Sequence, residues 1–359
     1  MSTKGCLIPL NEIRRFITDS MVSAGAPKAH AAMMGDVLAL ADYRGHFSHG
    51  LNRLEMYVKD VRTKSTDAFA TPVVVQEKSA MALVDGKNGL GPVVGNFCMD
   101  LAIKKAADTG VGWVSARGSN HYGIAGWYSL RAMAKGFMGL SFTNSSPLVS
   151  PTRSKAAALG TNPITLAAPG VNGDSFVLDM ATSTVAVGKI ELQQRKREPL
   201  PVGWALDKQG HITTDADKAM EANCLMPLGG AEETSGYKGT GLGLLVEIFC
   251  GILSGSKYGP FVRNWKHTTE NANLGQCFIA LDYKAFGSGF EERLTHLLST
   301  IRAMEPADPE KEVIVPGDPE KWHMKCVNED GGITYHRNQI DALIKLAEEL
   351  KIEPMKAIN

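Results

Sequence analysis

Apolar residues recur with a helical period over roughly the first 65 residues. Ile13, Phe16, Ile17 and Met21 mark one face of a helix over 10–23, and Ala31, Met34, Val37, Leu38 and Ala41 mark a second over 27–43. Between them, Gly25 is suited to a helix stop and Pro27 to a first helical position. A third helix is expected from about His49 to Lys64. The period then changes. Residues 71–75, 80–86, 112–116, 138–143, 164–168, 176–180 and 275–282 read as strands. Helices are expected over 92–109, 124–135, 184–197, 239–253, 290–304 and 336–351. Residues 199–215 read as an extended loop with a small hairpin, and 305–321 as a Pro- and acid-rich connection.

Strands and helices mix throughout, which gives a mixed α/β class with a central sheet. The expected division is a sheet-centred core over 71–296 against a helical unit over 1–70, joined by 297–359. A cleft between the two is where a ligand would sit.

Composition narrows the function. Of 359 residues, 44% are apolar and 21% charged, the make-up of a globular protein in water. Lys plus Arg equals Asp plus Glu at 38 each, which speaks against nucleic acid or a membrane as the main partner. No apolar run approaches a bilayer span, and Pro9 interrupts the short apolar start expected of a secretory signal. The six cysteines form no Cys-x-x-Cys pair and read as reduced thiols of a cytoplasmic protein.

The densest chemistry lies in Tyr43-Arg44-Gly45-His46-Phe47-Ser48-His49-Gly50-Leu51-Asn52-Arg53, with two imidazoles, a hydroxyl and two guanidinium groups in eleven residues. Ser48 and His49 are neighbours, so their side chains meet only on non-helical backbone or at a helix cap. If His49 opens a helix, Arg53 and Tyr57 continue its face. As a zinc pair, His46 and His49 need a third ligand, for which His121 is the obvious candidate. A Rossmann fingerprint is missing: in Gly239-Thr240-Gly241-Leu242-Gly243 the third glycine is one position early and no strand precedes it. That run reads instead as a helix packed closely through small residues. A pyrophosphate could still be held at Gly118-Ser119-Asn120-His121-Tyr122-Gly123, at Asp179-Met180-Ala181-Thr182-Ser183-Thr184, or beside Gly236-Tyr237-Lys238-Gly239. Thr143-Asn144-Ser145-Ser146-Pro147 and Gly160-Thr161-Asn162-Pro163 are polar turns able to present amides and hydroxyls to a carboxylate or carboxamide.

Taken in order, the motifs from Ser48-His49-Gly50 with Arg53 and Tyr57 to Tyr237-Lys238-Gly239-Thr240-Gly241 resemble the malate/L-lactate dehydrogenase family that lacks a Rossmann domain. The resemblance runs from about residue 8 to about 320. It implies a non-Rossmann NAD(P)-binding fold of the sulfolactate/malate dehydrogenase type, a homodimer, and interconversion of a 2-oxo acid and a 2-hydroxy acid with NAD or NADP. By position it implies His49 as general acid/base with Ser48 as its relay partner, and Arg53, Tyr57 and Thr161 around the substrate. It implies His121, Tyr122, Gly123, Ile124, Ala125, Asp179, Met180, Ala181, Tyr237, Lys238, Pro316, Gly317 and Asp318 along the cofactor. Lys189 stands where some members carry the third relay residue as Asp, Tyr237 where a His is frequent, and Asp318-Pro319 where an acid followed by Arg is usual. Malate/oxaloacetate is the first substrate pair expected. A cyclic 2-imino acid reductase and a non-catalytic nucleotide-binding relative are the alternatives.

Overall fold

A computed structural model of the chain describes residues 5–265 and 270–358. In order, the elements are β1 (Cys6–Ile8), α1 (Leu10–Ala24), α2 (Lys28–Tyr43), α3 (Leu54–Arg62), β2 (Val73–Glu77), β3 (Met81–Asp85), α4 (Gly91–Thr109), β4 (Val111–Ser119), α5 (Gly126–Met133), β5 (Met138–Thr143), β6 (Ile164–Pro169) and β7 (Ser175–Met180). They continue with α6 (Val187–Lys196), β8 (Ala205–Leu206), β9 (Ile212–Thr213), α7 (Ala216–Ala222), α8 (Gly236–Glu247), β10 (Leu274–Leu281), α9 (Phe290–Arg302), α10 (Asp318–Asp330), β11 (Ile333–Tyr335) and α11 (Arg337–Leu350).

The main sheet has seven strands in the order β2-β3-β4-β10-β5-β6-β7. Only the β3–β4 pair is parallel, and α4 makes the crossover that a parallel pair requires. Alternate residues of a strand face opposite sides, and β10 shows it. Phe278 and Ala280 enter a core with Cys98 and Met99 of α4 and Tyr128 of α5. Cys277 and Ile279 enter a second core with Val246 of α8 and Cys250 beyond it. The sheet is thus covered on both faces. A separate helical core joins Phe16 and Ile17 of α1, Met34 and Leu38 of α2, Leu54 and Val58 of α3, and Leu343 and Leu346 of α11. Short β1 pairs with β11, so the chain ends meet in this core, with Cys6 opposite Tyr335.

Several elements differ from the sequence reading. Two 3-10 turns, Phe47–His49 and Leu51–Arg53, replace the first turn of the expected third helix, whose α-helical part begins at Leu54. The stretch read as 184–197 becomes helical only at Val187. The glycine-rich helix starts earlier, at Gly236, and passes into a π turn over Ile248–Ile252. A β-carbon on Gly239 would overlap Leu228, which is the close packing that the small residues suggested. Helix α10 begins inside the expected connection, because Pro319 sits in its first turn, where proline fits. Three-residue β1 and β11 and seven-residue α7 are too short to carry a readable period. Among the described residues, no helix is long and apolar enough to cross a membrane.

Candidate active site

The corner after α2 is where the backbone leaves regular structure. Gly45 is left-handed at φ 84°. Gly50, at φ −96° and ψ −130°, separates the two 3-10 turns. His49 therefore does not open a helix with Arg53 on a continuous face, and the irregular backbone lets adjacent Ser48 and His49 meet. Ser48 Oγ lies 2.7 Å from His49 Nδ1, and Arg53 Nε donates to the Ser48 carbonyl at 2.8 Å. The Arg53 guanidinium lies 5.1 Å from the Trp265 ring centre, within cation–π range.

His121 comes from the loop after β4 and stacks on His49, with ring centres 5.7 Å apart and planes at 22°. Tyr57 Oη reaches His121 Nδ1 at 2.5 Å. Burial pushes the His49 imidazole down to about 4, and the Arg53 charge adds to the shift. Burial also holds His121 well below its ordinary value, with the neighbouring His49 and Arg53 acting in the same direction. Both rings are neutral at pH 7. Across the site, Asp179 at the end of β7 accepts from the Gly126 amide at the start of α5, at 2.8 Å. Burial raises its carboxyl to about 6.

These walls enclose a cavity of about 310 Å³. Of the residues predicted for the site, Ser48, His49, Arg53, Thr161, His121, Gly123, Ile124, Ala125, Asp179, Met180 and Ala181 line it. Tyr57 stands behind His121 through its hydroxyl. Tyr122 is not brought to the cavity: its ring stacks on Tyr128, 4.5 Å away, inside the sheet core. Lys189 is exposed on α6, although its neighbour Gly188 lines the cavity. Tyr237 and Lys238 are exposed at the start of α8, with Lys238 Nζ 6.0 Å from the Tyr237 ring centre. Pro316 accepts from the Val177 amide of β7 at 3.1 Å. A β-carbon on Gly317 would sit 3.2 Å from Val177, so this segment lies tight on the strand. The Asp318 carboxylate takes two bonds from Arg302, at 2.9 and 2.8 Å.

A larger depression, about 680 Å³, lies beside Arg153, Lys155 and Glu232 and contains none of the predicted site residues. Its rim includes the exposed Arg153–Glu232 ion pair, and it is the poorer candidate for enclosing a small ligand. Among the described residues, no three His, Cys, Asp or Glu side chains converge as a metal-holding group. His46 instead faces Glu320, with Nε2 3.5 Å from Oε1.

Three parts of the site escaped sequence reasoning. Buried Glu247 of α8 accepts from Asn144 at 3.1 Å, Asn162 at 2.9 Å and the Gly259 amide at 3.1 Å, which locks both polar turns together. Its signal was available: it is the one charge in the apolar run 239–253. Arg263 lines the cavity and pairs with Asp60 at 3.2 Å, both buried. Asp42 lies behind the His49 turn. Neither of the last two stands out from its neighbours in the sequence.

The cavity has the features of a site for a flat ring beside a small anion. One wall carries an imidazole and a guanidinium, and the other carries small side chains and backbone at Gly123, Ala125, Ala181 and Gly188. A β-carbon on Gly188 would meet nothing, so open space lies beside it. Comparison with known proteins agrees with that chemistry. A family model described as malate/L-lactate dehydrogenase matches residues 8–344. Malate dehydrogenase of Pyrococcus horikoshii is 38% identical over 349 residues, 96% of each chain. Its solved structure superposes with a TM-score of 0.88 over 97% of this chain and 96% of that one. L-sulfolactate dehydrogenase of Methanocaldococcus jannaschii is 38% identical over 346 residues, 96% of this chain and 97% of the other. The solved sulfolactate dehydrogenase of that organism has a TM-score of 0.89 at 35% identity, covering 98% and 100%. The malate dehydrogenase structure of Entamoeba histolytica has a TM-score of 0.92 at 28% identity, covering 98% and 99%.

The fold is therefore the mixed α/β, non-Rossmann fold of sulfolactate and malate dehydrogenases. The chain belongs to the malate/L-lactate dehydrogenase family, a family of NAD(P)-dependent 2-hydroxy-acid dehydrogenases.

Proposed function

We propose that this chain interconverts malate and oxaloacetate, with His49 as general acid/base and Arg53 as the carboxylate clamp. The observation that carries this reading is the meeting of Ser48, His49, Arg53 and Thr161 in one cavity with Asp179, Met180 and Ala181. Arg53 would take the carboxylate adjoining the carbonyl, since a guanidinium fork meets a carboxylate in two bonds. Thr161 and Ser145 also line the cavity, with their hydroxyls 3.4 Å apart. His49 would give a proton to the carbonyl oxygen in reduction and remove it from the hydroxyl in oxidation. Ser48, bonded at Nδ1, would fix the ring so that Nε2 meets that oxygen. In the ligand-free site the imidazole is neutral at pH 7, ready to act as base. An anionic substrate, placing negative charge against Arg53, raises its pKa toward the acid role.

NAD or NADP, held along Gly123–Ala125 and Met180–Ala181, would accept or supply the hydride at the carbon. The domains of the reaction would be a helical unit, 1–70 with 297–359, and a sheet-centred unit, 71–296. Arg263 also lines the cavity, with its guanidinium already paired to buried Asp60. We also propose a homodimer built on the exposed apolar residues Leu244, Leu245, Ile248 and Ile252, whose surface needs a cover in water.

The test is an activity matrix on the purified protein. Oxaloacetate, sulfopyruvate, pyruvate and a cyclic 2-imino acid are each offered with NADH and NADPH, followed by absorbance. Oxaloacetate should give the highest kcat/KM. A clear preference for pyruvate or the imine would replace malate as the substrate. Tight nucleotide binding without turnover on any of them would overturn the enzymatic reading. Light scattering on the wild type and on Ile248→Glu tests the dimer.

A further inference from the structure

We propose that Asp42, held by Tyr335, is a positioning residue for His49: its carboxyl fixes the turn that aims the imidazole and the Arg53 guanidinium into the cavity. The proposal rests on the reading of His49 and Arg53 given above. Asp42 lies in the last turn of α2 and is fully buried. Its carbonyl accepts from the Gly45 amide at 2.9 Å. Its Oδ2 accepts from the Leu51 amide at 2.9 Å and from Tyr335 Oη at 2.7 Å. One residue thus grips both ends of the segment that carries Ser48 and His49.

Gly50 belongs to the same clamp. Its φ of −96° is not left-handed, so a left-handed turn does not demand glycine there. Space does: a β-carbon would overlap the Asp42 carboxyl. Tyr335 supports the turn a second time, with its ring edge-on to Phe47 at 6.1 Å between centres. Phe47 begins the 3-10 turn that ends at His49. Strand β11, late in the chain, is in this way joined to the turn that carries Ser48 and His49.

The clamp is costly to keep. Asp42 has no cation within ion-pair distance among the described residues, and its Oδ1 has no hydrogen-bond partner. Burial holds the carboxyl up, to about 7. Regular structure cannot replace it, because the two 3-10 turns are too short to hold themselves.

Three variants of the full-length protein test the idea: Asp42→Ala, Tyr335→Phe and Asp42→Asn. The readouts are kcat, the Kd for NADH by fluorescence, and amide hydrogen exchange across residues 45–53. Misplacing a reacting group costs rate rather than nucleotide affinity, so kcat should fall roughly 100-fold in Asp42→Ala and about 10-fold in Tyr335→Phe. The Kd for NADH should stay within about two-fold of wild type, since its proposed wall is elsewhere. Asp42→Asn keeps an oxygen that can accept both bonds and should recover kcat to within about five-fold of wild type. Exchange should quicken over 45–53 and not in the sheet. Unchanged kcat in Asp42→Ala and Tyr335→Phe, or kcat and nucleotide affinity lost in parallel with exchange raised throughout, would overturn the proposal. If Asp42→Ala does not fold, Tyr335→Phe, which keeps the ring, decides alone. If the wild type reduces no 2-oxo acid, the functional reading fails, whereas the exchange at 45–53 still decides whether the clamp holds the turn.

Discussion

The cavity has two walls of different construction. The helical side, from His46 to Arg53, presents long polar side chains on irregular backbone. The sheet side, Gly123 to Ala125 and Asp179 to Ala181, lies at the ends of regular elements. Each wall has a buried carboxylate near it, and the two differ. Glu247, behind the polar turns at Asn144 and Asn162, accepts three hydrogen bonds spread over both oxygens. Asp42, behind the His49 turn, accepts two on one oxygen and leaves the other unpartnered. A fully satisfied buried network rigidifies what it joins, whereas an unpartnered buried oxygen is costly to keep. The expectation is that changes on the helical side alter turnover, while changes on the sheet side alter stability or nucleotide affinity.

The largest effect should come from His49→Ala. Loss of a positioned general acid costs about 10²–10⁴-fold in kcat, with the melting temperature nearly unchanged. A fall of less than about ten-fold would remove His49 from the chemistry and with it the contrast between the walls. Next comes Arg53→Lys. One charged hydrogen bond is worth about 1.5–3 kcal/mol, so kcat/KM should drop roughly 10–100-fold, mostly through KM for the acid. Glu247→Ala should instead act on stability. It strands the Asn144 and Asn162 amides, at about 1–3 kcal/mol for each buried donor left unmet, read as a lower denaturation midpoint. A large loss of kcat without a loss of stability would reverse the assignment of the two carboxylates.

The pH profile sharpens the same contrast. Oxidation of the hydroxy acid needs the neutral imidazole, which is lost only on protonation. With His49 pushed from an ordinary 6.5 to about 4, kcat/KM for oxidation should stay level as the pH falls through 6.5 and drop only as it nears 4. An acid limb at 6.5 would mean that the ring is solvated in the working enzyme. The smallest effect belongs to Gly126→Ala. Its β-carbon would come within 2.5 Å of Asp179 Oδ2, which must then shift. The Kd for NADH should rise by about two- to five-fold, with kcat retained.

Much of this architecture was legible from residue order. Long elements, such as α1, α2, α4 and most strands of the main sheet, were readable from apolar runs of sufficient length and regular spacing. The Ser48-His49-Arg53 group was readable because its side chains are reactive and close in sequence. Helix α10 was hidden by Pro319 and its acidic neighbours, a composition shared by loops and first turns. Strands β1 and β11 were hidden by length, since their pairing joins Cys6 to Tyr335 across nearly the whole chain.

Residue order alone determined the fold class, the family and the chemical groups of the candidate site, because apolar period and side-chain identity are local properties. Which groups meet was decided only by tertiary structure. Tyr122 and His121 are adjacent in sequence, yet one is buried in the sheet core and the other stacks on His49. Asp42 reads as an ordinary polar residue at a helix end until Leu51 and Tyr335 close on its carboxyl. Burial and partner choice arise from chain segments far apart in sequence, so no local pattern encodes them.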